Sequence, residues 1–75
     1  MRISKYAVVI EKSKNGYGGY FPDVPGCIAV GSTLKELREN LKGALEMHFE
    51  GMREDGEEIP KPTAKIGYVQ VKRET

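Results

Sequence analysis

The residues that could do chemistry are few in this sequence. His48 and Cys27, the only histidine and the only cysteine, could serve in nucleophilic catalysis, and Glu11 and Asp23 could form a carboxylate pair. A general base needs an orienting partner and a nucleophile within reach, and a two-metal site needs several converging acids. Neither pattern occurs, so the sequence predicts no catalytic residue, no metal ligand and no cofactor, and we expect the protein not to be an enzyme.

Each of these residues has a structural interpretation that fits its surroundings better. His48 follows the apolar spacing of a helix and is expected to be a packed or interface residue. Cys27 has no neighbouring cation or helix N-terminus to activate it and is expected to be a buried filler. Glu11 is interpreted as a solvated strand end. Asp23 suits an Asx turn, in which the carboxylate accepts a hydrogen bond from the backbone two residues later in the chain.

The glycine-rich segment 15–20 also invites functional interpretations. A phosphate-binding loop would need its glycines to lead from a strand into a helix, whereas these lead into a short strand that ends at Pro22. The segment only partly follows the RNA-recognition-motif pattern, because Gly19 replaces a stacking aromatic and Asn15 replaces a basic residue. We therefore interpret Asn15-Gly16 as a type I′ hairpin turn.

Three short strands and two turns are predicted for the first 31 residues. β-branched and aromatic residues indicate strands at about 5–12, 17–21 and 27–31, arranged as an antiparallel meander. Pro22 ends the second strand because it has no N–H to donate. Val24-Pro25-Gly26-Cys27 has the composition of a type II turn.

One long helix is predicted at about 33–55. Thr33 and Glu36 form a capping box at its start, and Gly56 suits its C-terminal end. Its apolar residues repeat at three- and four-residue steps and form one stripe: Leu34, Leu37, Leu41, Ala44, Leu45, His48, Phe49 and Met52. After a proline-rich connector, residues 66–71 read as a last strand. The fold class is therefore α+β, in the order β-β-β-α-β, with an antiparallel sheet and one helix on one face.

A partner is expected for physical reasons. The 75 residues form a single domain, 1–75, at the small end of what folds alone, and a single cysteine excludes an internal disulfide. Both predicted terminal strands carry apolar residues on both sides, although one helix covers only one face of a sheet. Self-association as a homodimer, or a protein partner, would cover the other face.

Composition excludes several classes of function. Because 12 basic residues are nearly balanced by 11 acidic ones, the net charge gives no reason to expect nucleic-acid binding. No apolar stretch is long enough for a membrane span or a signal peptide. A cytoplasmic protein without a membrane partner is expected.

Several motifs together resemble the HicB family of small antitoxins and their stand-alone relatives. The resemblance runs from the first strand to Pro62, and its most specific part is Phe21-Pro22-Asp23-Val24-Pro25-Gly26-Cys27. It continues through the Gly31-Ser32-Thr33 helix entry and the late Ile59-Pro60-Lys61-Pro62. It implies a partial RNase H-like fold without catalytic acids, and a partner of the HicA type, a small basic mRNA-cleaving toxin whose active site the antitoxin covers. Since the sequence stops at Thr75, we expect no DNA-binding domain of its own.

Two functional hypotheses follow. The first is a binding module that restrains a HicA-like toxin, with apolar anchors on the sheet face away from the helix and with contacts at Tyr20, Asp23, Pro25 and Gly26. The alternative is direct RNA or other nucleic-acid binding, with tyrosines stacking and lysines on phosphates: Tyr17, Tyr20 and Tyr68 with Lys5, Lys12 and Lys14.

Overall fold

A computed structural model describes residues 3–74 and shows a three-stranded antiparallel meander crossed by one helix. The strands are β1 (Val9–Ser13), β2 (Gly16–Tyr20) and β3 (Ile28–Gly31), and the helix is α1 (Leu34–Glu54). β2 is the central strand, and its pairing with both neighbours is regular, without a bulge. The α+β class, the meander and the single long helix are confirmed.

The hairpin between β1 and β2 differs from the predicted type I′ turn. Ser13 pairs with Gly16, so the two loop residues are Lys14 and Asn15, and neither has a positive φ. A type I′ turn requires φ > 0 at both positions, so that prediction is wrong. Gly16 instead opens β2 with φ +151°, and a Cβ there would lie 2.6 Å from the carbonyl oxygen of Gly31.

The first strand was predicted to begin at Lys5, but β1 begins at Val9. Val9 pairs with Tyr20, the last residue of β2. Beyond Tyr20 the chain turns at Pro22, which has no N–H for a ladder. Residues 5–8 therefore have no strand opposite them, although Tyr6 and Val8 still pack against the core.

Both ends of α1 are capped as the sequence indicates. Thr33 Oγ1 accepts from the N–H of Glu36 at 3.1 Å, and Glu36 Oε1 accepts from the N–H of Ser32 at 2.8 Å, which makes a variant of the capping box. At the other end, the N–H of Gly56 donates to Arg53 O and that of Glu57 to Met52 O. With Gly56 at φ +72° this is a Schellman motif.

The core is small and lies between the helix and the loop that joins β2 to β3. Its buried side chains come from that loop and from the first half of α1: Phe21, Val24, Cys27, Leu37 and Leu41. The helix approaches the sheet closely, because glycines stand opposite it. A Cβ on Gly31 would lie 2.5 Å from the backbone nitrogen of Leu37, and one on Gly19 would lie 3.0 Å from Leu41 Cδ1.

The predicted strand at 66–71 is absent from the single chain. Residues 66–71 belong to no strand or helix, and Ile66, Tyr68, Val69 and Val71 are 67–94% exposed. The residue pattern suits a strand, but no strand edge lies beside it to supply hydrogen bonds. The observed order is therefore β-β-β-α.

Truncation of the most deeply buried helix residue should unfold much of the protein. Leu37 is 0% exposed, and a buried Leu→Ala change costs about 2–5 kcal/mol of unfolding free energy, a large part of the stability of a small domain. Leu37→Ala should lower the urea midpoint strongly, measured by the helical circular dichroism signal. Met47→Ala, on the same helix but 75% exposed, is the matched control and should change the unfolding free energy by less than about 0.5 kcal/mol. Equal midpoints for the two variants would contradict this core assignment.

Candidate functional site

The segment from Phe21 to Cys27 forms two consecutive tight turns. The N–H of Val24 donates to Phe21 O at 3.1 Å, and that of Cys27 donates to Val24 O at 3.2 Å. Gly26 has φ +86°, as the third position of a type II turn requires, so the type II prediction is confirmed. The three-residue period directs Phe21, Val24 and Cys27 into the core and leaves Pro25 and Gly26 exposed.

Asp23 ties this double turn to the chain after the helix. Its carboxylate accepts from the N–H of Thr63 at 3.0 Å, from Thr63 Oγ1 at 2.9 Å and from the N–H of Ala64 at 3.0 Å. The N–H of Ala64 and the hydroxyl of Thr63 hold the pKa of Asp23 below its ordinary value. The predicted Asx turn is wrong. The Asp23 carboxylate accepts from backbone N–H groups 40 residues later in the chain, and not from the residue two positions later.

One face of the sheet carries no helix. The side chains on it alternate with those that contact α1, and cross-strand pairing arranges them in two rows. We call this surface the open face; its first row is Val9, Tyr20 and Ile28, and its second is Glu11, Gly18 and Val30.

The open face is apolar and exposed. Val30 is 72% exposed, Ile28 69% and Tyr20 42%. Gly18 has no side chain, so Glu11 and Val30 border a gap in the middle of the second row. Large apolar side chains grouped on one exposed surface are typical of interaction sites in soluble proteins.

The predicted contact residues fall at one end of the open face. Tyr20 closes β2 on that face, and Pro25 and Gly26 lie exposed in the adjoining turn. Asp23 is half-buried, and its carboxylate oxygens already accept hydrogen bonds from Thr63 and Ala64. In the structure it therefore stabilises the fold.

The contact residues predicted from the sequence did not include two exposed residues of the open face, Ile28 and Val30. The alternation of Cys27-Ile28-Ala29-Val30 was the signal that could have found them. Cys27 is buried and Ala29 packs against the core, so the residues between them must face outward.

The structure shows where each of the residues considered for chemistry lies. Cys27 is buried, and burial raises the pKa of its thiol, which disfavours the reactive thiolate. His48 is half-buried and lines a surface cavity that Cys27 and Met47 also line. Glu11 lies in mid-strand opposite Gly18, whereas the Asp23 carboxylate is occupied in the loop. Among residues 3–74, no three His, Cys, Asp or Glu side chains are grouped to hold a metal ion.

Of the helices within residues 3–74, none combines the length and apolarity needed to cross a bilayer.

Comparison with known proteins places the chain in a family. The sequence model described as "HicB_like antitoxin of bacterial toxin-antitoxin system" matches residues 6–74. The chain belongs to the HicB-like antitoxin family. The resemblance carried by the Phe21–Cys27 motif is thereby confirmed.

Two relatives of this chain extend well beyond the part that it matches. A 14.9 kDa protein from the rep–hol intergenic region of Haemophilus phage HP1 is 52% identical over 64 residues, which are 85% of this chain and 48% of the phage protein. Antitoxin HicB 2 of Photorhabdus laumondii is 34% identical over 81% of this chain and 44% of its own length. The chain thus spans about half the length of either relative.

A solved structure shares this HicB-like fold. A chain of the HicA3 and HicB3 toxin–antitoxin complex superposes with a TM-score of 0.70 at 33% identity, over 80% of this chain and 70% of that one. Sequence and three-dimensional likeness therefore point to the same family.

The Asp23 contact makes a pH-dependent prediction. Because the folded state lowers the pKa of Asp23, the contact stabilises the fold above about pH 4 and is lost as the pH falls through the lowered pKa. The amide signals of Thr63 and Ala64 in NMR spectra should titrate together in that acidic range. Asp23→Asn should abolish this titration, since the carboxylate that accepts from Thr63 and Ala64 is gone.

Asp55→Asn is the matched control, because it removes the other aspartate and leaves the contact intact. Both amides should titrate in it as they do in the wild type. If the two amides still followed the same acidic titration in Asp23→Asn, the carboxylate could not be their partner.

Proposed function

We propose that this chain is the antitoxin of a toxin–antitoxin pair, a non-catalytic cytoplasmic protein that binds a HicA-like mRNA-cleaving toxin and covers its active site. The open face and the adjoining Pro25-Gly26 turn are the proposed contact surface. The observation that carries this assignment is an exposed apolar sheet face in a member of an antitoxin family.

The anatomy of the open face supports a protein partner. Protein interfaces have an apolar centre with aromatic anchors and a polar rim. Tyr20, Ile28 and Val30 supply such a centre, and they are presented on paired strands, so little ordering would be needed on binding. The sheet therefore offers a rigid surface rather than a pocket.

Charge on the open face is compatible with a basic partner. Glu11 is exposed on its second row, next to Gly18 and Val30. Lys12 lies on the opposite side of the sheet, with its Nζ 5.9 Å from the centre of the Tyr17 ring. The acidic side chain of β1 is thus directed towards the proposed contact surface and the basic one away from it.

A complex of relatives supplies further support. The superposed chain comes from the structure of the HicA3 and HicB3 toxin–antitoxin complex. By analogy, the partner proposed here is a small basic RNase, which would be encoded beside this chain's gene.

Direct RNA binding, the alternative, finds less support in the geometry. Tyr17 and Tyr20 are three residues apart on one strand and therefore lie on opposite faces. Tyr68 is in the C-terminal segment, 94% exposed and outside the sheet. Bases cannot stack on these rings as one platform, and retention on RNA at about 50 mM salt would be the observation in its favour.

A charge placed on the open face should block toxin binding without unfolding the chain. Val30→Lys should raise the dissociation constant for the neighbouring-gene toxin at least about 30-fold, because a charge would be buried at an apolar interface centre. The measurement is titration calorimetry with a catalytically inactive toxin, together with rescue of cell growth on co-expression.

Met47→Lys is the matched control, since Met47 is 75% exposed, close to the 72% of Val30, but lies on the helix. It should bind like the wild type. Equal affinities for the two variants, or no binding by the wild type, would contradict the proposed surface.

A further inference from the structure

Two adjoining cavities lie between helix α1 and the segment that leads into β1. Their volumes are about 230 and 330 Å³, and they share four lining residues, Ser4, Tyr6, Lys42 and Leu45. Along the helix, the lining of the first ends at Leu45 and that of the second ends at Arg53, so the cavities follow one another along α1. We call the two together the groove.

The floor of the groove is apolar and belongs to the core. Phe21 and Leu41, which are buried core residues, line the first cavity, and Val8 and Leu45 pack against the core beside them. Phe49 continues the apolar lining in the second cavity. A polar ligand would lose its hydrogen bonds to water on such a floor, so the floor suits an apolar chain.

One wall of the groove is held in place by contacts within the chain. The hydroxyl of Tyr6 donates to the carbonyl oxygen of Pro60, and the Tyr6 ring lies against that of Phe49, with centroids 5.3 Å apart. Helix α1 forms the other wall and is capped at both ends. A site with walls fixed in this way needs little ordering when a small ligand binds.

Positive charge borders the groove along the helix. Arg38 and Lys42, one helical turn apart, line the first cavity, and Lys42 and Arg53 line the second. Of the described residues that line the first cavity, none is acidic, whereas Glu46 lines the second. All three basic residues are exposed. The first cavity therefore combines an apolar floor with two cations at its rim, which is complementary to an amphipathic anion.

We propose that the groove binds a free medium-chain fatty carboxylate. The carboxylate pairs with Arg38, whose guanidinium can bind both oxygens, and with Lys42. The unbranched tail lies on the apolar floor and extends towards Phe49. The helix rises about 16 Å from Arg38 to Phe49, so the groove accommodates an elongated ligand rather than a bulky one.

Other apolar occupants match the groove less well. A membrane surface takes up protruding apolar side chains, whereas Phe21 and Leu41 are 7% and 3% exposed. An uncharged hydrocarbon would leave both cations at the rim without a counter-charge, and a cationic amphiphile would be repelled by them. A free carboxylate with an apolar tail satisfies the floor and the rim together.

The groove is separate from the surface proposed for the toxin. Tyr20, Ile28 and Val30 line neither of its cavities. The fatty carboxylate and the toxin therefore bind to different parts of the chain, and failure of toxin binding would leave this proposal unaffected.

The test is an NMR titration of the isotope-labelled chain with sodium decanoate below its micelle-forming concentration. Signals of Tyr6, Val8 and Leu45 should shift to saturation with a dissociation constant below about 1 mM, while those of Ile28 and Val30 stay unchanged. Octanoate should bind more weakly, by up to about fourfold for each methylene removed. Decylammonium has the same tail and the opposite charge, so it should bind at least about 10-fold more weakly than decanoate.

A pair of variants tests the cations at the rim. Arg38→Gln/Lys42→Gln replaces exposed residues by a good helix former and should raise the dissociation constant for decanoate at least about 10-fold. Lys14→Gln/Lys35→Gln is the matched control, because it removes the same charge from exposed positions outside the groove. It should bind decanoate within about twofold of the wild type. Both variants should keep the wild-type helical circular dichroism signal.

Several results would overturn the proposal. One is the absence of saturable shifts at Tyr6, Val8 and Leu45, and another is equal binding of decanoate and decylammonium. A third is equal affinity for decanoate in the two double variants. Groove signals that shift with protein concentration alone would show that a second copy fills the groove, and shifts that require phospholipid vesicles would show that a membrane does. Either outcome would exclude the free acid as the occupant.

Discussion

The packing of the double turn at Phe21–Cys27 against the helix supports the other elements of this small protein. Phe21, Val24 and Cys27 point inward at three-residue intervals and meet Leu37 and Leu41, which together form the whole buried core of the described chain. The turn can pack this tightly because Pro25 and Gly26 suit a type II turn and Gly31 lets the helix approach β3. The segment by which the family is recognised is therefore first a structural requirement.

The same packing decides which surfaces are left for partners. A single helix seated on the double turn and on β2 and β3 covers one face of the sheet and stops short of β1. The opposite face keeps Tyr20, Ile28 and Val30 in water, and the edge of β1 keeps its backbone groups unpaired. A domain with so small a core would gain stability from any partner that covered these surfaces, so binding of a partner would stabilise the fold.

Local signals predicted the parts of the fold that depend on neighbouring residues. Thr33 and Glu36 capped the helix as expected, and Pro25-Gly26 formed the expected turn.

Other predictions were wrong for identifiable reasons. The hairpin loop was misassigned by one residue because Gly16 can serve either within the loop or as the first residue of β2. The partner of Asp23 lies 40 residues away, and no local pattern indicates such a contact. Residues 66–71 carry the residue pattern of a strand but form none, because a strand also needs an edge beside it and this segment does not lie against one. To predict that Ile28 and Val30 are exposed, one has to know which face of the sheet the helix covers.

The central claim is that an antitoxin of this family meets its toxin through the open face. The most direct measurement is an NMR titration of the isotope-labelled chain with a catalytically inactive, unlabelled HicA-like toxin. The account predicts that amide signals of Tyr20, Ile28, Val30 and the Pro25-Gly26 turn shift or broaden, while those around Met47 on the helix stay unchanged. Changes confined to the outer surface of the helix, or no change at saturating toxin, would contradict it.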